Sequence, residues 1–125
     1  MALILVVDDE DLVRKTVSMM LKGDHSVVVA KNGKDALEQV KRYAPNLVIT
    51  DIIMPEMEGV ELIMELLRTD PGLRVIAMSG GGRAHNFDYL QVALQAGALR
   101  ILRKPFTKQD LLEAVDKGLK KGGAP

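Results

Sequence analysis

The sequence predicts an α/β fold: a doubly wound, five-stranded parallel sheet covered by helices on both faces. Three observations carry this reading. Short runs of branched aliphatic residues recur along the chain, as in strands buried on both faces. Between them lie segments with apolar residues at helical spacing. Gly, Pro, Asn and Asp punctuate the joins. Strands that alternate with helices imply βαβ units, and right-handed crossovers leave few ways to assemble them.

Taken in order, Leu3 to Val7 is an apolar run that stops at Asp8-Asp9. From Asp11 the spacing turns helical, with Leu12, Val13, Val17, Met20 and Leu21 on one face and Gly23 as the expected stop. Ser26 to Ala30 forms a second strand, and Asn32-Gly33 leads into a helix carrying Ala36, Leu37, Val40 and Tyr43, ended near Pro45. Leu47 to Thr50 is the third strand and delivers Asp51. A loop through Pro55 to Gly59 precedes a helix marked by Val60, Leu62, Ile63, Leu66 and Leu67. Leu73 to Met78 is the fourth strand, ending on Ser79 and the Gly80-Gly81-Gly82 loop. A helix from about Asn86 carries Phe87, Leu90, Leu94 and Ala96 up to Gly97. Ala98 to Leu102 is the fifth strand, followed by Lys104-Pro105-Phe106. The last helix spans about Lys108 to Lys120, with Leu111, Leu112, Val115 and Leu119 inward and Gly118 as a mild weakness. Residues 1–121 are expected to form one domain and residues 122–125 to fray.

Of the doubly wound arrangements, the flavodoxin-like strand order 2-1-3-4-5 places a crevice between strands 1 and 3. Asp8-Asp9 and Asp51 meet there. Composition narrows what the crevice serves. Seventeen basic residues balance seventeen acidic ones, which argues against direct nucleic-acid binding. No cysteine is present, so disulfides and thiolate chemistry are out. No apolar run approaches membrane-span length, and the first residues lack the basic leader of a signal peptide. The expected location is the cytoplasm, without membrane insertion.

Three carboxylates in one crevice repel one another unless a cation joins them. All-oxygen ligation without His or Cys points to Mg²⁺. Ser79 at the end of the fourth strand offers a hydroxyl, and Lys104 at the end of the fifth offers a mobile cation. An acceptor oxygen, a metal, a donor and a charge clamp are the equipment of phosphoryl transfer, with an Asp carboxylate as nucleophile. Each residue also has a plainer reading. Asp51 can simply open a turn, and Asp8 or Asp9 can serve the first helix N-terminus. Ser79 can be a loop hydroxyl, Lys104 a solvated lysine and Pro105 the start of the last helix. Gly80-Gly81-Gly82 lacks the spacing and lysine of a P-loop and reads as a loop. It is their convergence on four strand ends that favours chemistry.

The pieces Val6-Val7-Asp8-Asp9-Glu10, Thr50-Asp51-Ile52-Ile53-Met54-Pro55, Met78-Ser79-Gly80 and Lys104-Pro105-Phe106 run in an order and spacing that resembles the receiver domains of bacterial response regulators. The likeness is to the chemotaxis-regulator type, and it extends over essentially the whole chain. The resemblance implies that Asp51 accepts a phosphoryl group from the phosphohistidine of a sensor histidine kinase, or exchanges it with a histidine phosphotransfer protein. It implies that Asp9 binds Mg²⁺ directly and Asp8 mainly through water, with Asp51 and the Ile53 backbone carbonyl completing the protein ligands. Ser79 and Lys104 would hold phosphoryl oxygens, and the Lys104-Pro105 bond would be cis. Output would pass through the face formed by the fourth helix, fifth strand and fifth helix to a downstream protein target. The chain is expected to be a phosphoacceptor rather than an enzyme acting on other substrates, and a monomer or weak dimer.

Two departures bear on the switch. Three residues before Lys104 the family usually carries Tyr or Phe, and this chain has Ile101, so a swinging ring is absent there. The Gly80 to Asn86 loop, with His85 and Phe87, is expected to carry more of the change. Ile53, two residues after Asp51, cannot orient attacking water, so a long-lived phosphoryl group is expected. Competing readings are weaker. A haloacid-dehalogenase-type phosphatase needs a second Asp where Ile53 stands. A nucleotide or flavin module needs a Gly-, Ser- or Thr-rich first loop instead of Asp8-Asp9-Glu10-Asp11. A docking-only receiver would not need the full motif set.

Overall fold

The computed structural model describes residues 1–52, 59–79 and 86–122, with residues 86–90, 121 and 122 described by backbone alone. Ten elements alternate: β1 (Leu3–Val7), α1 (Asp11–Leu21), β2 (Ser26–Ala30), α2 (Gly33–Tyr43), β3 (Leu47–Asp51), α3 (Gly59–Thr69), β4 (Arg74–Ser79), α4 (Asn86–Ala96), β5 (Arg100–Arg103) and α5 (Lys108–Gly122). The five strands form one parallel sheet in the order β2-β1-β3-β4-β5. The chain steps outward from β1 to β2, then returns across β1 to β3. That reversal opens the crevice between the carboxyl ends of β1 and β3.

The two-residue period of the strands divides the core into two layers. Leu5, Val7, Val48, Val75 and Ala77 point one way and pack with Ala36 of α2, Leu62, Ile63 and Leu66 of α3, and Ala93 of α4. Ile4, Val6, Leu47, Ile49, Ile76 and Met78 point the other way and meet Val17 and Leu21 of α1 and Leu111 and Val115 of α5. β3 lies at the centre, flanked by β1 and β4, and all five of its residues are buried. The continuous apolar runs of the sequence are therefore strands that serve both layers at once.

The helices depart from the expected pattern in detail. Leu12 is exposed, so the inward stripe of α1 is narrower than its apolar residues suggest. Tyr43 and Leu94 also face outward, and among the described side chains of α4 Ala93, rather than Leu94, is buried in the core. Gly23 does not adopt the left-handed conformation of a helix stop. The Lys22 N–H is instead bonded to the Ser18 carbonyl at 3.0 Å, and the Leu21 carbonyl accepts from Asp24 and His25. The left-handed cap falls on Ala44 (φ 46°), where Pro45 disfavours a helical conformation in the residue before it. α2 opens on Asn32, whose side chain accepts the Asp35 N–H at 2.8 Å. Gly118 is no weakness. It is buried, and a Cβ there would stand 3.2 Å from Leu47 Cδ1 and 3.4 Å from Ile76 Cδ1, so its bareness lets α5 approach the sheet. α5 runs through Gly122, and the remaining residues of the expected tail, 123–125, lie outside the described ones.

Gly59 is the tightest joint between loop and core. Its N–H donates to the Ile52 carbonyl at 2.6 Å, and a Cβ on it would overlap the Asp51 carbonyl oxygen. Gly59→Ala is therefore expected to cost about 2 kcal/mol through forced repacking. Gly23→Ala meets nothing within 4 Å and is expected to add about 0.5 kcal/mol by restricting the unfolded chain. Urea denaturation of the two variants beside the parent checks both signs.

Candidate functional site

Four strand ends deliver the site. Asp8 follows β1, Asp51 and Ser79 are the last residues of β3 and β4, and Lys104 follows β5. Asp8, Asp51 and Ser79 are buried, whereas Asp9 is exposed at the rim. Carboxylate oxygens of Asp8, Asp9 and Asp51 all lie within 4.8 Å of one another. Lys104 Nζ donates to Asp8 Oδ2 at 3.0 Å and stands 3.5 Å from Asp51 Oδ2. The ammonium thus bridges the two buried carboxylates.

Local bonds fix each carboxylate. The Ile52 N–H donates to Asp51 Oδ1 at 2.9 Å and also approaches the Met78 carbonyl at 3.0 Å, so the Asp51 side chain is tied to the β3–β4 ladder. The buried Thr50 hydroxyl donates to the Asp51 carbonyl at 3.0 Å. The Glu10 N–H donates to Asp8 Oδ1 at 2.9 Å, a tight turn at the end of β1. Arg14 Nη1 donates to the Asp8 carbonyl at 2.7 Å, and Nη2 reaches Asp11 Oδ1 at 3.1 Å, which clamps α1 to the β1 loop. The Lys104 N–H donates to the Ser79 carbonyl at 2.8 Å, extending the β4–β5 pairing up to the site.

Two of these residues escape a reading of motifs. Arg14 looks like a surface residue of α1, and nothing in its neighbourhood says that it reaches back to a carbonyl six positions earlier. Thr50 stands inside the strand motif, but only the fold shows that its hydroxyl supports the Asp51 backbone. Of the remaining expected residues, Ile101 is half-buried against the α2–α3–α4 layer and Phe106 against the α1–α5 layer. Pro105 is exposed, and its bond from Lys104 is cis. Ile53 and Gly80 to His85 lie outside the described residues, as does the side chain of Phe87.

Burial pushes the Asp51 carboxyl up to about 6. Lys104 opposes the rise, the Asp8 charge adds to it, and the Ile52 N–H opposes it again. Burial also disfavours the Lys104 ammonium, but the charges of Asp51 and Asp8 outweigh that and hold it above the usual lysine value. Among the described residues three carboxyl groups face one ammonium, which leaves the crevice short of positive charge. A hard divalent cation fits that deficit and the all-oxygen donor set. Asp8, Asp9 and Asp51 are the residues that would hold it.

The folded-state value of Asp51 lies above its ordinary 3.8, so folding favours its protonated form. Its contribution to stability therefore falls as pH rises between about 4 and about 6. In chelator, Asp51→Asn is expected to stabilise the protein at pH 7 by about 3 kcal/mol, a gain that vanishes below about pH 4. Urea unfolding across that range measures it, and a gain that does not vary with pH would contradict the assignment.

Comparison with known proteins agrees with this geometry. Residues 4–116 match the family described as the response regulator receiver domain. The chemotaxis protein CheY of Bacillus subtilis is 37% identical over 118 residues, spanning 93% of this chain and 96% of that protein. A response regulator receiver domain protein from Clostridium thermocellum superposes with a TM-score of 0.89 at 30% identity, covering 97% of this chain and 96% of that one. NtrX from Brucella abortus, whose structure was determined with ADP, superposes with a TM-score of 0.91 at 31% identity; the match covers 97% of this chain but 27% of NtrX. With its parallel sheet in the order 2-1-3-4-5 and its acids and lysine gathered at the strand ends, the chain belongs to the response regulator receiver domain family.

Proposed function

We propose that the protein is a phosphorylatable receiver of a two-component or phosphorelay system, with Asp51 as phosphoacceptor. The observation that carries this reading is the Asp51 carboxylate, buried at the carboxyl end of the central strand, beside two further aspartates and within 3.5 Å of the Lys104 ammonium.

The residues divide the work. At neutral pH the Asp51 carboxylate is mostly ionised and nucleophilic, since its value lies near 6. One of its oxygens attacks the phosphorus of a phosphohistidine supplied by a histidine kinase or histidine phosphotransfer protein. The P–N bond breaks, its electron pair stays on the imidazole, and an aspartyl phosphate results. Lys104 is already poised on Asp51 and follows the negative charge onto a phosphoryl oxygen. The Ser79 hydroxyl, one strand away, donates to another. A Mg²⁺ held by Asp8, Asp9, Asp51 and the Ile53 carbonyl would neutralise phosphoryl charge. The new charge beside Ser79 and Lys104 alters the ends of β4 and β5, and α4, β5 and α5 present that change to a downstream protein. On this reading the chain acts on its own phosphoryl group and has no other substrate.

Intact mass after incubation with acetyl phosphate tests the proposal. One phosphoryl adduct is expected for the parent, lost when Mg²⁺ is withheld and absent in Asp51→Asn. Neither an adduct nor a beryllofluoride-induced spectral change would leave a docking-only receiver. Ile53→Asn is expected to shorten the lifetime of the adduct, because an amide can orient the water that isoleucine cannot. An unchanged hydrolysis rate would remove Ile53 from that role.

A further inference from the structure

The sheet has an edge that no part of the phosphoacceptor site uses. β2 pairs with β1 alone. On that inner side the Ser26 N–H donates to the Ala2 carbonyl at 2.9 Å, and the Ala30 carbonyl accepts the Asp8 N–H at 3.2 Å. Backbone groups alternate sides along a strand, so Ser26, Val28 and Ala30 face β1 while Val27 and Val29 turn their N–H and C=O groups outward. Edge strands are commonly guarded by a charge, a proline or a bulge. Ser-Val-Val-Val-Ala has none of these, and its register with β1 runs unbroken over five residues.

Beside this edge runs a groove of about 770 Å³, with Val27 and Val29 on one wall and Ser18 and Met19 of α1 and the following Lys22 on the other. Met19 is 75% exposed and Val29 44%, so an apolar strip lies open next to the unpaired backbone. Its charges are mostly basic. Lys22 and the exposed Lys31 flank β2, and among the described residues neither forms an ion pair, whereas the groove's Asp11 is taken by Arg14 and Lys15.

We propose that the outer edge of β2 binds an extended acidic segment of a partner protein as a sixth strand. Its backbone would bond to Val27 and Val29. Apolar side chains on one face of the segment would lie against Met19 and Val29, and acids at its two ends would meet Lys22 and Lys31. A second copy of this chain fits less well. Edge-to-edge pairing brings the same basic rim together, and antiparallel pairing about Val28 sets Lys31 of each copy against His25 of the other. β2 lies beyond β1, on the side away from β3, so the groove meets the phosphoacceptor site only at its far end, where Arg14 bonds the Asp8 carbonyl.

Amide exchange by NMR on the full chain tests this, with a capped synthetic peptide that carries glutamates at both ends of a valine- and threonine-rich centre as probe. At a peptide concentration about ten times its Kd, the Val27 and Val29 amides are expected to exchange about tenfold more slowly. The Val28 amide, already turned to β1, should be unchanged. Binding is expected to weaken in high salt and in Lys22→Glu, an exposed substitution that leaves the rest of the spectrum intact. No binding, or shifts confined to α1 with Val27 and Val29 unprotected, overturns the proposal. Protection of both amides that rises with protein concentration in the absence of peptide makes a second copy the occupant, and overturns it equally.

Discussion

Two buried carboxylates sharing one ammonium is the constraint to which the rest of this fold is fitted. Asp8 and Asp51 are held out of water at the carboxyl edge of the sheet, where an uncompensated charge costs several kcal/mol. Lys104 offsets much of that cost, but one positive charge cannot satisfy two carboxylates and the Asp9 carboxylate at the rim. Burial holds Asp51 near 6 against the pull of Lys104, and the shortfall of positive charge suits the crevice to a cation and to a group that brings its own neutralising partners. The strained electrostatics and the candidate chemistry have one origin.

The doubly wound topology makes this arrangement possible. β3 is central and buried along its whole length, so the only place it can present a polar group to solvent is its end. Its neighbours β1 and β4 run parallel to it, and their ends arrive at the same level, bringing Asp8 and Ser79 alongside Asp51. β5 adds Lys104 from one position further out, within reach only because a lysine stem is long. Small hydrogen bonds then set the angles: Ile52 N–H on Asp51, Glu10 N–H on Asp8, Arg14 on the Asp8 carbonyl.

What was legible in the sequence follows from the same physics. Strands buried on both faces must be apolar at every position, and β1 and β2 appear in the sequence with their observed bounds. The alternation of elements leaves few strand orders, of which 2-1-3-4-5 is a common one, and the site is foreshadowed by polar residues at four strand ends. Helix faces were harder, because a helix needs only a stripe. Leu12 and Leu94 have the spacing of core residues yet lie outside it, and the small Ala93 fills the place that Leu94 seemed to claim. Arg14, Gly59 and Gly118 were misjudged or missed for a common reason. Each matters through a neighbour distant along the chain, at a closeness that no local pattern encodes.

The bridge between Asp8 and Lys104 spans 96 positions of sequence. Along the chain the acids after β1 come first, Asp51 at the end of β3 next, and Lys104, the cation that bridges them among the described residues, last. Until β5 docks on β4, the forming crevice holds Asp8 and Asp51 without that ammonium, and the sheet cannot close comfortably around Asp51. Completion of the electrostatic clasp is thereby tied to completion of the sheet. A fragment that ends before Lys104 would carry the aspartates without the means to bury them.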